Sequence, residues 1–217
     1  MVRETRFGEI YSYQDLNLIQ QKVDIQPAEP KLNLVDIPGG DGSKDMSEQP
    51  AGRVVYKARK ITWTFALYPG ENWHNKHHQV SNALNGKQCR ITLHDDPDCY
   101  FEGRLAVKKY NRDKALRQIT VEATCDPWIK KQVDTRKEAS LTTEFQTITL
   151  KNWRKPVIPE ITVSSETAIR WSGATVTLPA GSHRLLGIEL QEGENLLEAR
   201  VPSGTGTIVI TYREGSL

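Results

Sequence analysis

His74, His77 and His78 stand close together, and the first and last share one helix face at i, i+4 spacing, a geometry that can seat zinc. A zinc protease would place a glutamate directly after the first histidine, and here that residue is Asn75. A third ligand would have to come from elsewhere, with His94 the nearest candidate in sequence. The open polar face of a surface helix accounts for these histidines, and no metal is expected. Asp95, Asp96 and Asp98 cluster carboxylates as a calcium site does, but they lack the spaced oxygen ligands and closing glutamate of an EF-hand loop. Around Pro97 they read as a turn. Cys89, Cys99 and Cys125 are odd in number and lack CxxC spacing, which argues against a disulfide framework and a zinc site alike. They read as buried thiols of a reducing compartment, although Cys89 and Cys99 flank one turn and could face each other across a hairpin. Gly39, Gly40 and Gly42 invite a phosphate-loop reading that no following Gly-Lys-Ser/Thr or helix supports. No GxSxG is present. Trp153 and Trp171 could stack on sugars, or pack a sandwich core or an interdomain seam. These residue types point to no enzyme and to no cofactor.

The elements that position them are mostly strands. Gln88 to Leu93 alternates polar and apolar, His94 to Asp98 supplies a turn, and Cys99 to Tyr110 returns. Asn111 to Lys114 is a second polar turn, after which Ile119, Val121 and Ala123 alternate inward until Asp126-Pro127 ends the meander. Upstream, residues up to Ile25 suggest short strands, and Pro38 to Gly52 reads as an exposed loop. Arg53 to Tyr68 alternates as two strands, or as one strand kinked near Lys57 to Lys60. A single helix carries Trp73, His77, Val80, Ala83 and Leu84 at helical spacing, with Glu71 or Asn72 to cap it, Pro69-Gly70 before it and Gly86 after it. Ile129 to Ser140 is charged and weakly patterned, as a linker or crossover would be. From Leu141 onward, short strands parted by Gly, Pro, Ser and Asn follow the spacing of a β-sandwich. The expected division is two β domains, residues 1–134 and 135–217.

The 217 residues hold 26% charged and 37% hydrophobic side chains, which suits a folded chain with a real core. A net charge of +2 leaves no global field to capture nucleic acid or an anionic membrane. Lys108-Lys109 and Lys130-Lys131 read as solvated strand edge and linker. The N-terminus shows no signal-peptide pattern, and no apolar run approaches the ~20 residues of a membrane helix, so cytoplasmic synthesis and no membrane partner are expected.

Several motifs occur in a specific order. Pro38-Gly39, Asp41-Gly42 and Asp45 form the first, followed by Tyr56 and Arg59 in a strand. Asn85-Gly86-Lys87 closes the helix, Asp95 to Asp98 precedes Gly103-Arg104, and Cys125-Asp126-Pro127 ends the meander. Over roughly residues 7–130 this succession resembles the distal tail protein (Dit) family of long-tailed, non-contractile phages and prophages. The last part, ending TGTIVITYREGSL, is similar to the family's second domain with weaker motifs. The resemblance implies a mainly β, two-domain protein: an N-terminal β-sandwich with one helix and a β-hairpin arm, and a C-terminal galectin-like β-sandwich. It implies a structural role, a homo-hexameric ring at the virion tail tip, made in the host bacterial cytoplasm. That ring joins the tail tube protein to a tail-associated or adhesion protein and lets DNA pass without specific binding. In the family an arm clasps the adjacent subunit, which places that arm here around residues 36–60. Asp36, Pro38, Gly39, Asp41, Gly42, Asp45, Tyr56 and Arg59 are then the interface candidates. The alternative is a carbohydrate-binding, host-adhesion module using Trp153 or Trp171. Because the second domain shows no insertion, carbohydrate binding is not expected to be its main role.

Overall fold

Apolar residues at every second position build the N-terminal unit. β1 (Thr5–Phe7) and β2 (Ile10–Tyr11) make a tight hairpin, and β3 (Leu18–Ile25) follows a short turn. β4 (Leu34–Asp36) and β5 (Ser43–Asp45) pair only with each other. β6 (Arg59–Leu67) precedes α1 (Trp73–Leu84), the one helix among the described residues, and β7 (Gln88–Leu93), β8 (Asp96–Tyr110) and β9 (Gln118–Cys125) form the meander. The computed structural model describes residues 3–49, 51–67, 70–111 and 117–217. Pro69 before the helix, Tyr68 at the end of the second alternating run and Arg112 to Lys114 of the second polar turn lie outside the described residues.

The large sheet of this unit runs β2-β1-β7-β8-β9-β6-β3, antiparallel throughout. β1 and β3 lie near opposite ends of that path, yet Thr5 Oγ1 donates to Gln20 Oε1 at 2.6 Å and Phe7 meets Trp63 edge-on at 5.1 Å. The sheet therefore curls over itself, and the N-terminal sandwich is one continuous ladder folded around its own apolar face. Ile61, Trp63 and Phe65 of β6 and Ile119, Val121 and Ala123 of β9 are fully buried there. α1 begins at Asn72, whose side chain accepts from the His74 and Asn75 amides, and it buries Lys76, Val80 and Leu84. Lys76 is tolerated inside because its ammonium reaches Glu71 at 3.4 Å. Asn17 donates to the Glu71 carboxylate, which together with Lys76 holds it below the usual range.

Four local expectations are corrected. The acidic turn is only His94 and Asp95; Leu93 pairs with Asp96, and the strand has resumed before Pro97. The ladder is irregular beside Leu93, so Pro97 loses no required hydrogen bond there. Cys89 faces Gly103 rather than Cys99, and none of the three cysteines is in a disulfide. Residues 53–58 form no strand, only a single bridge from Tyr56 to Pro30, so the alternating run starts at Arg59. The charged stretch after Trp128 is not a linker: β10 (Ile129–Lys131) and β11 (Thr135–Leu141) occupy it. β11 pairs with a neighbour along its whole length, and its polar residues reflect an edge strand open to water on one side.

Contacts divide the chain into two units, Met1–Ile129 and Lys130–Leu217. In the second, β12 (Gln146–Asn152), β13 (Glu160–Val163), β14 (Thr167–Trp171), β15 (Ala174–Leu178), β16 (Gly181–His183), β17 (Gly193–Arg200) and β18 (Gly206–Tyr212) precede the short β19 (Gly215–Ser216). They form two four-stranded sheets, β11-β18-β13-β16 and β12-β17-β14-β15. Leu141, Leu150, Ile161, Leu197, Ile208 and Ile210 fill the core between them.

Candidate assembly interface

The expected interface residues fall mainly on one projecting feature. The Lys57 amide donates to the Glu29 carbonyl at 2.8 Å, and Lys31 to Val55 at 2.7 Å. Met46 donates to Asn33, after which β4 and β5 pair from Leu34–Asp45 to Asp36–Ser43. A two-armed extension thus spans residues 29–57, wider at its N-terminal side than the 36–60 placement. Its tip needs Gly39 and Gly42 at φ 78° and 75°, a backbone that a larger residue would strain. Asp36 accepts from Ser43 Oγ at 2.6 Å, fixing the two strands at the tip. Asp45 accepts from the backbone and hydroxyl of Ser47, which holds its carboxyl below the usual range.

Residues 31–45 are exposed without exception. That includes Leu32 (62%), Leu34 (54%), Val35 (48%) and Ile37 (54%), none of which joins either core. A two-stranded ribbon has two faces and no third layer, so apolar residues on both faces stay wet within one chain. Leu32 and Leu34 keep the period-two spacing of a strand in the sequence, and it is their exposure that marks them as contact residues.

Asp36, Pro38, Gly39, Asp41, Gly42 and Asp45 all lie on this arm, exposed. Tyr56 sits at its base, edge-on to Trp128 at 5.6 Å. Arg59 is different. It is 6% exposed, donates to the Pro127 carbonyl, lies over the Phe101 ring at 5.4 Å, and is held below its usual pKa by burial. Its side chain is committed inside its own subunit.

The other candidate chemistries do not converge. The His77 ring lies tilted against Tyr110 at 4.1 Å and edge-on to His78 at 5.7 Å, His74 and His78 are exposed, and no cluster of three or more metal-ligating side chains exists among the described residues. Cys125 is pushed up to about 12, chiefly by burial, and burial also raises Cys89, so neither is a ready nucleophile. Trp153 carries the Lys131 ammonium 4.5 Å from its ring centre. Trp171 is half-buried against the sandwich core.

Along its whole length the chain superposes on the crystal structure of the Dit protein of phage SPP1, described as a paradigm of the hub adsorption apparatus in phages that infect Gram-positive bacteria. The TM-score is 0.69, with 17% identity and 100% of each chain covered. The chain has the Dit fold. Two other solved structures align more loosely and bear no weight. One is a de novo designed double-stranded β-helix, with TM-score 0.27, 14% identity, and 38% of this chain against 100% of that one. The other is an ethanolamine utilization protein of Salmonella typhimurium, with TM-score 0.23, 12% identity, and coverage of 86% and 98%. No protein-family model and no curated protein matches the chain. In the Dit fold of this chain, both units are β structures, and the helix and the arm belong to the first.

Proposed function

We propose that this chain is a structural subunit of a phage tail tip, closing into a ring, hexameric by the resemblance, that serves as a hub. The ring would join the tail tube to the tail-associated or receptor-binding proteins and leave a channel through which DNA passes. The observation that carries this reading is the arm: four large apolar side chains held in water by a ribbon that cannot bury them itself. Removing the exposed remainder of each from water would contribute about 1 kcal/mol, and a ring repeats that contact around a closed symmetry. Near-neutral net charge suits a channel that DNA traverses without being gripped.

The test is the solution mass by light scattering over a concentration series, for the wild type and for Leu34→Asp with Val35→Asp. The wild type should form one discrete ring, and the double variant should be a folded monomer. A wild type that is monomeric throughout, or a double variant that still assembles, would defeat the arm as the ring-forming element.

A further inference from the structure

The C-terminal sandwich guards three of its four sheet edges. Those edges are β11, β16, β12 and β15. β11 carries Arg136, Lys137 and Glu138 in succession, β12 carries Lys151 paired with Glu194 at 3.2 Å, and β16 is three residues long. Charge and shortness are the usual devices that stop an edge from templating another strand. β15 has neither. Its sequence Ala174-Thr175-Val176-Thr177-Leu178 is uncharged, and its first four residues are exposed. It is also well ordered for pairing: β14 holds it along its full length, through a turn with Ser172 and Gly173 at φ 48° and 83°.

Beside this edge the two sheets do not close. Ile169 on β14 is 1% exposed, while its cross-strand neighbour Val176 is 45% exposed. The opposing edge, β16, ends at His183, and the chain leaves it for a loop in which Leu186 is 84% exposed. A cleft of about 540 Å³ results, walled by Ile169, Trp171, Val176, Leu185, Leu186 and Ile188. Arg184 also lines it. Its pairing with Glu160, at 3.6 Å between side chains 71% and 44% exposed, is of the weak surface kind and yields readily to a better partner.

We propose that β15 is a docking edge for an extended segment of another tail protein. The segment adds as a further strand, its backbone pairing with β15, its alternate apolar side chains entering the cleft over Trp171 and Val176, and an acidic residue meeting Arg184. The uncharged edge supplies the hydrogen bonds, the cleft selects the apolar alternation, and the guanidinium sets the direction of the strand. The identity of the partner as a tail protein rests on the hub reading; the strand-addition chemistry does not.

The experiment selects binders to the full chain from a displayed library of random peptides. Selected peptides should alternate apolar residues and carry an acidic residue near one end, and a bound peptide should slow amide exchange within Ala174–Leu178. Val176→Lys should weaken them about tenfold or more, and Arg184→Glu about threefold to tenfold. Thr175→Lys, which puts a charge on the same edge without touching the cleft, guards against a folding artefact and should also weaken them. Leu196→Lys, on the exposed face of β17, should leave affinity unchanged. An empty selection, binders indifferent to Val176→Lys and Thr175→Lys, or protection falling on another strand would each overturn the proposal. A full ring that binds no such peptide would sink this inference and leave the hub reading standing. Peptide binding by a chain that never assembles would do the reverse.

Discussion

β6 and the arm strand β4 share one local pattern and meet opposite fates. Arg-Lys-Ile-Thr-Trp-Thr-Phe-Ala-Leu in β6 alternates throughout, Leu32 and Leu34 keep the same period into β4 before Val35 breaks it, and both strands pair in antiparallel ladders. Ile61, Trp63 and Phe65 are 0% exposed, whereas Leu34 and Ile37 are each 54% exposed. The difference is the number of neighbours. β6 has strands on both sides and a curled sheet over its face, while β4 has a single partner and no layer above it. Alternation therefore announces a strand with apolar side chains, and only a second layer turns that strand into core.

That contrast can be broken from either side. The largest effect is expected from Trp63→Ala, which should cost about 3–5 kcal/mol in chemical denaturation, because nothing can refill the space between Phe7 and the sheet. Leu34→Ala in the arm should shift monomer stability by no more than about 0.5 kcal/mol while reducing ring formation; a large loss of monomer stability would show that the arm is buried within its own chain.

In monomer stability Gly103→Ala should rank after Trp63→Ala, at about 1–3 kcal/mol, since an added Cβ would stand 2.5 Å from Cys125 Sγ and 2.7 Å from the Thr124 carbonyl. An unchanged melting temperature would contradict that packing. At the helix start, Asn72→Ala should cost about 1 kcal/mol by leaving the His74 and Asn75 amides uncapped.

A further test is a pH dependence. Cys125 is raised to about 12 in the fold from an ordinary value of 9.0. The folded state therefore holds this proton more tightly than the unfolded chain. Its contribution to stability is complete below about pH 9 and is lost as the pH rises toward about 12. Cys125→Ala should flatten the alkaline limb of the stability profile, after allowance for Tyr212, which burial also raises.

The acidic hairpin and the linker show how far local signals reach. Asp95, Asp96, Pro97 and Asp98 are all turn formers, yet the turn is only His94 and Asp95, because Asp96 pairs with Leu93 of β7 and β8 already runs from that residue. Thr135 to Leu141 looks like linker because an edge strand needs few apolar residues, and its partner β18 lies some seventy positions away in sequence. Arg59 opens the alternating strand β6 and stands among the interface candidates that the resemblance implies. It is buried because the Pro127 carbonyl and the Phe101 ring, both distant in sequence, arrive beside it.

Residue order alone determined that the chain is β-rich with a helix capped at Glu71 or Asn72, that the Gln88–Cys125 stretch is a meander, and that the Gly-rich stretch after Ile37 is exposed. These are consequences of backbone sterics, capping and side-chain period, which act over a few residues. Tertiary structure decided which alternating strands became core, that the first sheet curls until β1 meets β3, that Arg59 turns inward, and that β15 is left unguarded beside an open cleft. Each of these depends on contacts between residues far apart in sequence, and burial is a property of what comes to lie against a residue.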